Sequence, residues 1–378
     1  MKDNENGRVA ISFAAIDQYV ERNIPSPKET LLTGKDRVLW GENNLYPEFL
    51  LELSKTVPSL RSVIGGTVDF IVGDDLQIRQ LGNNEANLMN TRGDTIRAQV
   101  AAIARDYEIY GGFALQVIRA KDGSVAEIYY CDMRYLRSNK KNTVFYYSEK
   151  WAQRSQKIVT YPAFFPYTKE SWARLEDNQK ERAYSSILFV KADGSQVYPF
   201  PVYGAAIKAC ETERCIDDYH LNAINNGFTG SMFVNFNNGI PSDQMKEEIE
   251  ADFTEKFSGH QNAGRIGFSW NPNKDAAVTF TEMKTEDFGE KYKALATHVR
   301  QQIFTAFRAN PNLFGIPTES LGFSQEEYES AFRLYNRTMV RPVQRIICDA
   351  YDRIYGEPGV LTIKPFTMEE TKTETNVN

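Results

Sequence analysis

The sequence predicts an α+β protein, and three observations carry that prediction. Long helical patterns run over Pro201–Asn226, over Thr285–Asn310 and from Ser324 to Tyr355. Between the first two lies a βαββ package of about fifty residues, too small to hold a core without neighbours. Upstream, from Phe113 to Val190, the apolar period shifts toward two and aromatic residues crowd together.

Residues 1–45 sustain no period and read as mixed and partly irregular. Asn44-Leu45-Tyr46-Pro47 then opens a helix over Glu48–Lys55, since proline suits a first helical turn. Pro58 opens another over Ser59–Val72, and Gly73 supplies a residue able to take a left-handed cap. Leu76–Gln80 alternates as a strand. Thr95–Tyr110 carries Ile96, Val100, Ile103 and Tyr107 at helical spacing and stops at Gly111-Gly112. Phe113–Ile118, the turn Lys121-Asp122-Gly123 and Val125–Cys131 form a hairpin. Further strands are expected at Val144–Tyr147, Ile158–Phe165 and Ile187–Val190. So many Phe and Tyr residues could stack on bases or sugars. Aromatics also favour a pleated, half-buried surface, and the sheet-core reading is preferred.

The helix from Pro201 sets Val202, Ala205, Ala206, Ala209, Cys210, Ile216, Tyr219 and Ile224 on its apolar side. Its polar positions hold Lys208, Glu211, Glu213, Arg214, Asp217 and Asp218. Met232–Phe236 is a strand. Ser242 caps an amphipathic helix over Asp243–Phe257 that ends at Gly259, and Arg265–Trp270 and Ala277–Thr281 are two more strands. Pro311 disfavours helix at Asn310 and so ends the second long helix there. Gly315, Pro317 and Gly322 keep the following segment irregular. Ser324 with Glu327 forms a capping box for the third helix, which contains Pro342. Thr371–Asn378 is polar and is expected to be disordered.

With 378 residues and 42% apolar content the chain has material for two or three domains. A net charge of -6 lacks the basic surplus of a tight nucleic-acid binder. Cys131, Cys210, Cys215 and Cys348 have no CxxC spacing, and His220, His260 and His298 are the remaining soft ligands, so packed thiols are expected rather than zinc. The polar start, Met1-Lys2-Asp3-Asn4-Glu5-Asn6, predicts no secretory signal, and no apolar run approaches the roughly 18 residues of a membrane span. Enzyme motifs fail on named requirements. Gly34-Lys35 is followed by Asp36 and preceded by Glu29 where a P-loop needs glycine, and GxGxxG, GxSxG and HExxH are absent. Asp74-Asp75, Glu247-Glu248 and Glu369-Glu370 are adjacent and point apart, as solvated or capping groups do. His260 follows a helix-ending glycine and reads as a loop histidine. No cofactor and no catalytic residue are expected.

The order of these features resembles phage portal proteins. The resemblance rests on Asn44-Leu45-Tyr46-Pro47 before a helix ending in Ile71-Val72-Gly73, and on a long helix ending in Asn226-Gly227-Phe228. It rests further on the turn Gly259-His260-Gln261-Asn262-Ala263-Gly264-Arg265, on Arg300–Phe307 followed by Pro311-Asn312-Leu313-Phe314-Gly315, and on Phe323-Ser324 before a helix with Pro342. It spans roughly Asn44–Tyr355. The resemblance implies an α/β wing at 1–200, a stem helix at 201–227, a clip at 228–283 and a second stem helix at 284–310. It implies a tunnel loop at 311–323 with Thr318, Glu319 and Ser320 at its tip. A long crown-proximal helix at 324–357 and a short tail at 358–378 complete it, leaving little or no crown. It also implies a ring, a dodecamer, at the capsid vertex of a virion that is assembled in host cytoplasm. Its partners would be the major capsid protein, the terminase packaging motor, a head–tail adaptor and double-stranded DNA that slides without tight binding. A non-ring head-completion adaptor and a hydrolase whose acid/base set only folding creates are the alternatives.

Arg333, Arg337, Arg341 and Arg345 recur every four residues. On an α-helix successive members rotate by about 40°, giving a slanting column. Glu329 and Asp349 can pair with the outer two. Arg337 and Arg341 have no acid at three- or four-residue spacing, so an external anion is expected to compensate. It could be DNA phosphate or a carboxylate of an adjacent subunit, with Glu211, Glu213, Asp217 and Asp218 as candidates, although exposed charges are often merely solvated. The subunit contact is preferred, because a ring of arginines gripping phosphate would oppose sliding.

Overall fold

The structure is a computed structural model. It describes residues 24–32, 34–79, 88–153, 157–194, 196–225, 232–236, 242, 244–245, 248, 266–270, 279–282, 288–315 and 324–367. The chain divides into two compact units, Met1–Cys210 together with Gln302–Asn378, and Glu211–Gln301.

The first unit opens with the two-residue strands β1 (Thr30–Leu31) and β2 (Val38–Leu39), then α1 (Tyr46–Thr56) and α2 (Pro58–Val72). Both helices carry proline in the first turn, where its missing N–H costs nothing. Gly73 leaves α2 at φ 67° and ψ -169°, a positive-φ conformation open to glycine but with a ψ outside the expected left-handed helical cap. β3 (Asp75–Ile78) follows, then α3 (Ile96–Tyr110). The Thr95 hydroxyl accepts from the Ala98 N–H at the start of α3, and left-handed Gly111 closes it.

β4 (Gly112–Arg119) is the centre of a three-stranded antiparallel sheet between β5 (Val125–Cys131) and β9 (Ser185–Lys191). α3 packs on β4, which explains its nearly continuous apolar run. β6 (Leu136–Ser138), β7 (Val144–Tyr147) and β8 (Val159–Pro162) extend β1 and β2 into a five-stranded sheet, and an Ala163–Ile187 bridge ties that sheet to β9. Two short helices, α4 (Lys169–Ala173) and α5 (Asp177–Ala183), went unread in the sequence because neither is long enough to show a period.

The Asn44-Leu45-Tyr46-Pro47 signature has a physical role. Asn44 lies at φ 62°, and its side-chain oxygen accepts from the Trp40 N–H and from Arg137 Nε at 2.6 Å. The Arg137 guanidinium is fully buried, also donates to the carbonyls of Asn44, Arg134 and Leu136, and faces the Trp151 ring at 5.0 Å. Burial lowers its pKa to about 10.

Two helices lead into and out of the second unit: α6 (Ile207–Asn225), and α7 (Phe288–Ala306). Between them β10 (Met232–Phe236) pairs parallel with β11 (Ile266–Trp270) and antiparallel with β12 (Thr279–Glu282). Ser242 Oγ accepts from the Met245 N–H, as a cap should, and most of the expected helix over 243–257 lies outside the described residues, as does the 259–265 turn. α6 begins six residues later than the pattern suggested, after a 3-10 turn at Gly204–Ala206 where the Phe200 ring occupies the space of a Gly204 side chain. α7 ends at Ala306, not Asn310. The Ala309 N–H reaches the Phe304 carbonyl and the Arg308 N–H reaches Thr305, a Schellman closure with Arg308 left-handed at φ 53°.

The last elements return to the first unit: α8 (Gln325–Tyr335), a π-helical turn at Asn336–Val340, α9 (Arg341–Tyr355) and β13 (Leu361–Lys364). β13 pairs antiparallel with β3, Leu361 opposite Ile78, so part of the expected tail is ordered strand. Residues 368–378 lie outside the described residues.

Two stability predictions follow from buried and strained positions. Arg308→Gly removes the left-handed penalty and should stabilise the fold by about 1 kcal/mol in chemical denaturation. Glu108 is 3% exposed, one carboxylate oxygen lacks a partner, and burial pushes its pKa up to about 8. The native state holds this proton up to that pH while the unfolded chain releases it near 4.5. Stability therefore falls as pH rises through that window, by roughly 1.4 kcal/mol per pH unit from this group. Glu108→Gln should flatten that slope and be the more stable form at pH 8. An unchanged slope would contradict the assignment.

Candidate functional site

The chain returning from the second unit is fixed to α2 by one aromatic ring. Asn310 accepts from the Asn312 N–H and starts a 3-10 turn over Pro311–Phe314, which left-handed Gly315 ends. Phe314 lies over Gly66 of α2, where an added Cβ would stand 2.7 Å from the ring. The Ser62 hydroxyl donates to the Phe314 carbonyl at 3.1 Å. Around the ring stand Phe70, Phe304 and Tyr335, with centroids at 6.1, 6.1 and 5.6 Å. Phe332 and Phe366 close the cluster on Phe70. The Tyr335 and Thr67 hydroxyls share a 2.6 Å hydrogen bond, and burial raises the Tyr335 pKa.

Past the eight residues that follow Gly315 the chain is fixed again. Ser324 Oγ accepts from the Glu327 N–H while the Glu327 carboxylate accepts from the Ser324 N–H. Residues 316–323, with the expected tip Thr318, Glu319 and Ser320, lie outside the described residues. Both ends of that segment are therefore held by defined contacts: a packed ring before it and a reciprocal cap after it.

The expected uninterrupted third helix is broken by a π turn. The Arg341 N–H bonds to the Asn336 carbonyl, five residues back, directly before Pro342. Proline lacks the N–H for the Thr338 carbonyl and its ring crowds that group, so a widened turn relieves the clash. This corrects the slanting column. Four residues overshoot a full α-helical turn by about 40°, but in a π turn they fall short of one. The slant reverses between Arg337 and Arg341, and the four arginines occupy a narrower strip.

All four are exposed, and no ion pair joins any of them to a carboxylate among the described residues. The expected internal pairs with Glu329 and Asp349 are not formed; Glu329 instead accepts from Gln325. On its other side α9 is locked inward. Val343, Ile347, Ala350, Tyr351 and Ile354 are buried, and the Gln344 amide donates to the Ile71 carbonyl at the end of α2.

The four candidate acids on α6 also separate. Glu211 and Glu213 are buried, and Glu211 is bridged to Arg214 at 2.8 Å. Burial raises the Glu211 pKa while Arg214 opposes the shift. Asp217 and Asp218 stay exposed. The aromatic anchor escaped the sequence reading, although Gly65-Gly66 inside a helix was a usable signal. Each glycine there costs about 1 kcal/mol against alanine and needs a packing reason.

Gly66→Ala should displace the Phe314 ring while Gly65→Ala, with open space around it, should not. Amide exchange over Pro311–Gly315 measures the difference; equal protection in both variants would show that the ring does not depend on Gly66.

The portal-protein family model, "Phage portal protein", matches residues 74–375. A sequence relative is an uncharacterised protein of Rickettsia felis, 28% identical over 123 residues, or 31% of this chain and 29% of that protein. Among solved structures, the neck of an empty gene transfer agent particle computed with C6 symmetry is similar with TM-score 0.55 at 12% identity, covering 92% of this chain and 88% of that one. The neck of the native particle computed with C12 symmetry gives 0.50 at 14%, over 93% and 89%. An HK97 family phage portal protein from Corynebacterium diphtheriae gives 0.50 at 10%, over 80% and 88%. At these identities the structural likeness shows a shared fold, and it agrees with the family match, which covers most of the sequence. The chain belongs to the phage portal protein family.

Proposed function

We propose that copies of this chain form a closed ring at the vertex of a phage-type capsid and that double-stranded DNA passes through its channel during packaging and ejection. The proposed copy number is twelve, by likeness to the neck computed with C12 symmetry. Family membership supports a structural rather than enzymatic role. The major capsid protein, the terminase packaging motor and a head–tail adaptor are the proposed partners, meeting the ring in host cytoplasm as the virion assembles.

The observation that carries the reading is the segment 316–323 held at both ends, by Phe314 on α2 and by the Ser324 cap. Such a segment can present a tip at a fixed place without depending on its own internal structure. Thr318, Glu319 and Ser320 are the proposed tip facing DNA, and a tip with one acid and no base does not grip phosphate. The net charge of -6 has the same consequence for the whole chain. The inserted unit Glu211–Gln301 corresponds in this reading to the stem and clip, entered and left by 19-residue helices of about 28 Å each.

Native mass spectrometry of the purified protein should give a closed oligomer. Monomer or dimer alone, across salt and concentration, would contradict the ring. Deleting Thr318–Ser320 should leave rings intact and lower packaged genome content. Unchanged particle yield and genome content would remove the tip assignment.

A further inference from the structure

Two exposed leucines stand out because each sits on a helix beside charges of one sign. Leu334 on α8 is 64% exposed, with Arg337 one turn after it and Arg341 further along the same strip. Leu221 on α6 is 58% exposed, with Asp218 and Asp217 three and four residues before it, on the same face. An apolar side chain of this size set singly in water is ordinary. An apolar centre bordered by two cations on one helix, and another bordered by two anions on a second helix, form a complementary pair.

We infer that in the ring the Leu334–Arg337–Arg341 face of one copy docks on the Asp217–Asp218–Leu221 face of its neighbour, leucine against leucine and arginine against aspartate. This rests on the ring reading above and adds the residues that join adjacent copies. The order of the charges sets the helix direction. Arg337 follows Leu334 by about 4.5 Å of helix rise, whereas the aspartates precede Leu221 by about 4.5 to 6 Å. Both contacts close together only when the two helices run antiparallel.

The π turn contributes by reversing the slant between Arg337 and Arg341, which narrows the strip that faces the acidic partner. The burial of Glu211 and Glu213 removes the competing acids of the same helix. Two unlike faces on one chain make a head-to-tail contact, which closes into a ring when the rotation per copy divides the circle. Opposite charge would guide encounter and register, and the leucine pair would exclude water between the helices.

The test uses the full chain. Arg337→Glu with Arg341→Glu, and separately Asp217→Lys with Asp218→Lys, should each reduce the ring fraction in native mass spectrometry by about tenfold or more. Combining all four should restore rings to within about twofold of the unaltered protein. Circular dichroism checks that each variant is folded. Leu221→Cys with Leu334→Cys gives an arm independent of charge: oxidation should produce a ladder of covalent oligomers on a non-reducing gel, absent from either single variant.

Rings from the unaltered chain with no ladder and no charge-swap rescue would overturn this contact and leave the ring standing. No ring from the unaltered chain would overturn both. Normal rings in both charge-reversed variants, with only DNA retention changed in the arginine variant, would place the arginines in the channel instead.

Discussion

The contact on which the functional half of the molecule depends is the Phe314 ring lying over Gly66. The chain leaves the first unit along α6, builds a separate unit and comes back along α7. Local signals stop that helix but do not say where the chain after it docks. The Schellman closure at Arg308 ends the helix, the Asn310 cap turns it, and the ring then enters a space that any side chain at position 66 would fill. α2, α7 and α8 meet there through Phe70, Phe304 and Tyr335. Close packing of this kind is intolerant of small volume changes, so a single glycine sets the position of the loop entry.

A DNA conduit faces opposing electrostatic demands. Its lining must not hold phosphate, yet its copies must hold each other. In the proposed function the chain meets the first with an acidic total and with a loop tip that carries no base. It meets the second, in the reading given above, by setting Arg333, Arg337, Arg341 and Arg345 along one exposed strip and leaving Asp217 and Asp218 exposed on α6. A proline in a long helix would ordinarily be a defect. Here the π turn before Pro342 absorbs the missing hydrogen bond and, by reversing the slant after Arg337, narrows the strip of arginines at the same time.

Much of the fold was legible because it is written in local signals. Pro47 and Pro58 mark helix starts, Thr95 and Gly111 bracket α3, and Ser324 with Glu327 announces α8. The period of two found β4 and β5 within a residue of their ends. What escaped depends on partners distant in sequence. β13 is tied down because β3 lies beside it, and its alternation Leu361-Thr362-Ile363-Lys364 is too short to be told from tail without that partner. The end of α7 was misjudged because Pro311 is a visible stop signal, while a left-handed arginine is not. At the candidate site the sequence set Arg337 and Arg341 apart from Arg333 and Arg345, but among the described residues no ion pair joins any of the four to a carboxylate. It could not show that Glu211 and Glu213 turn inward, since alternation around a helix does not say how wide the buried stripe is. The π turn was invisible for the same reason as the aromatic anchor: each is a solution imposed by packing.

The central claim is that this chain closes into a ring with residues 316–323 at the channel, and a cryo-electron microscopy reconstruction of the purified assembly tests it most directly. The account predicts a closed ring with a central hole, α8 and α6 of adjacent copies side by side and antiparallel, and Thr318, Glu319 and Ser320 at the narrowest part of the channel. A closed ring with that segment on its outer surface, or particles without a channel, would contradict it.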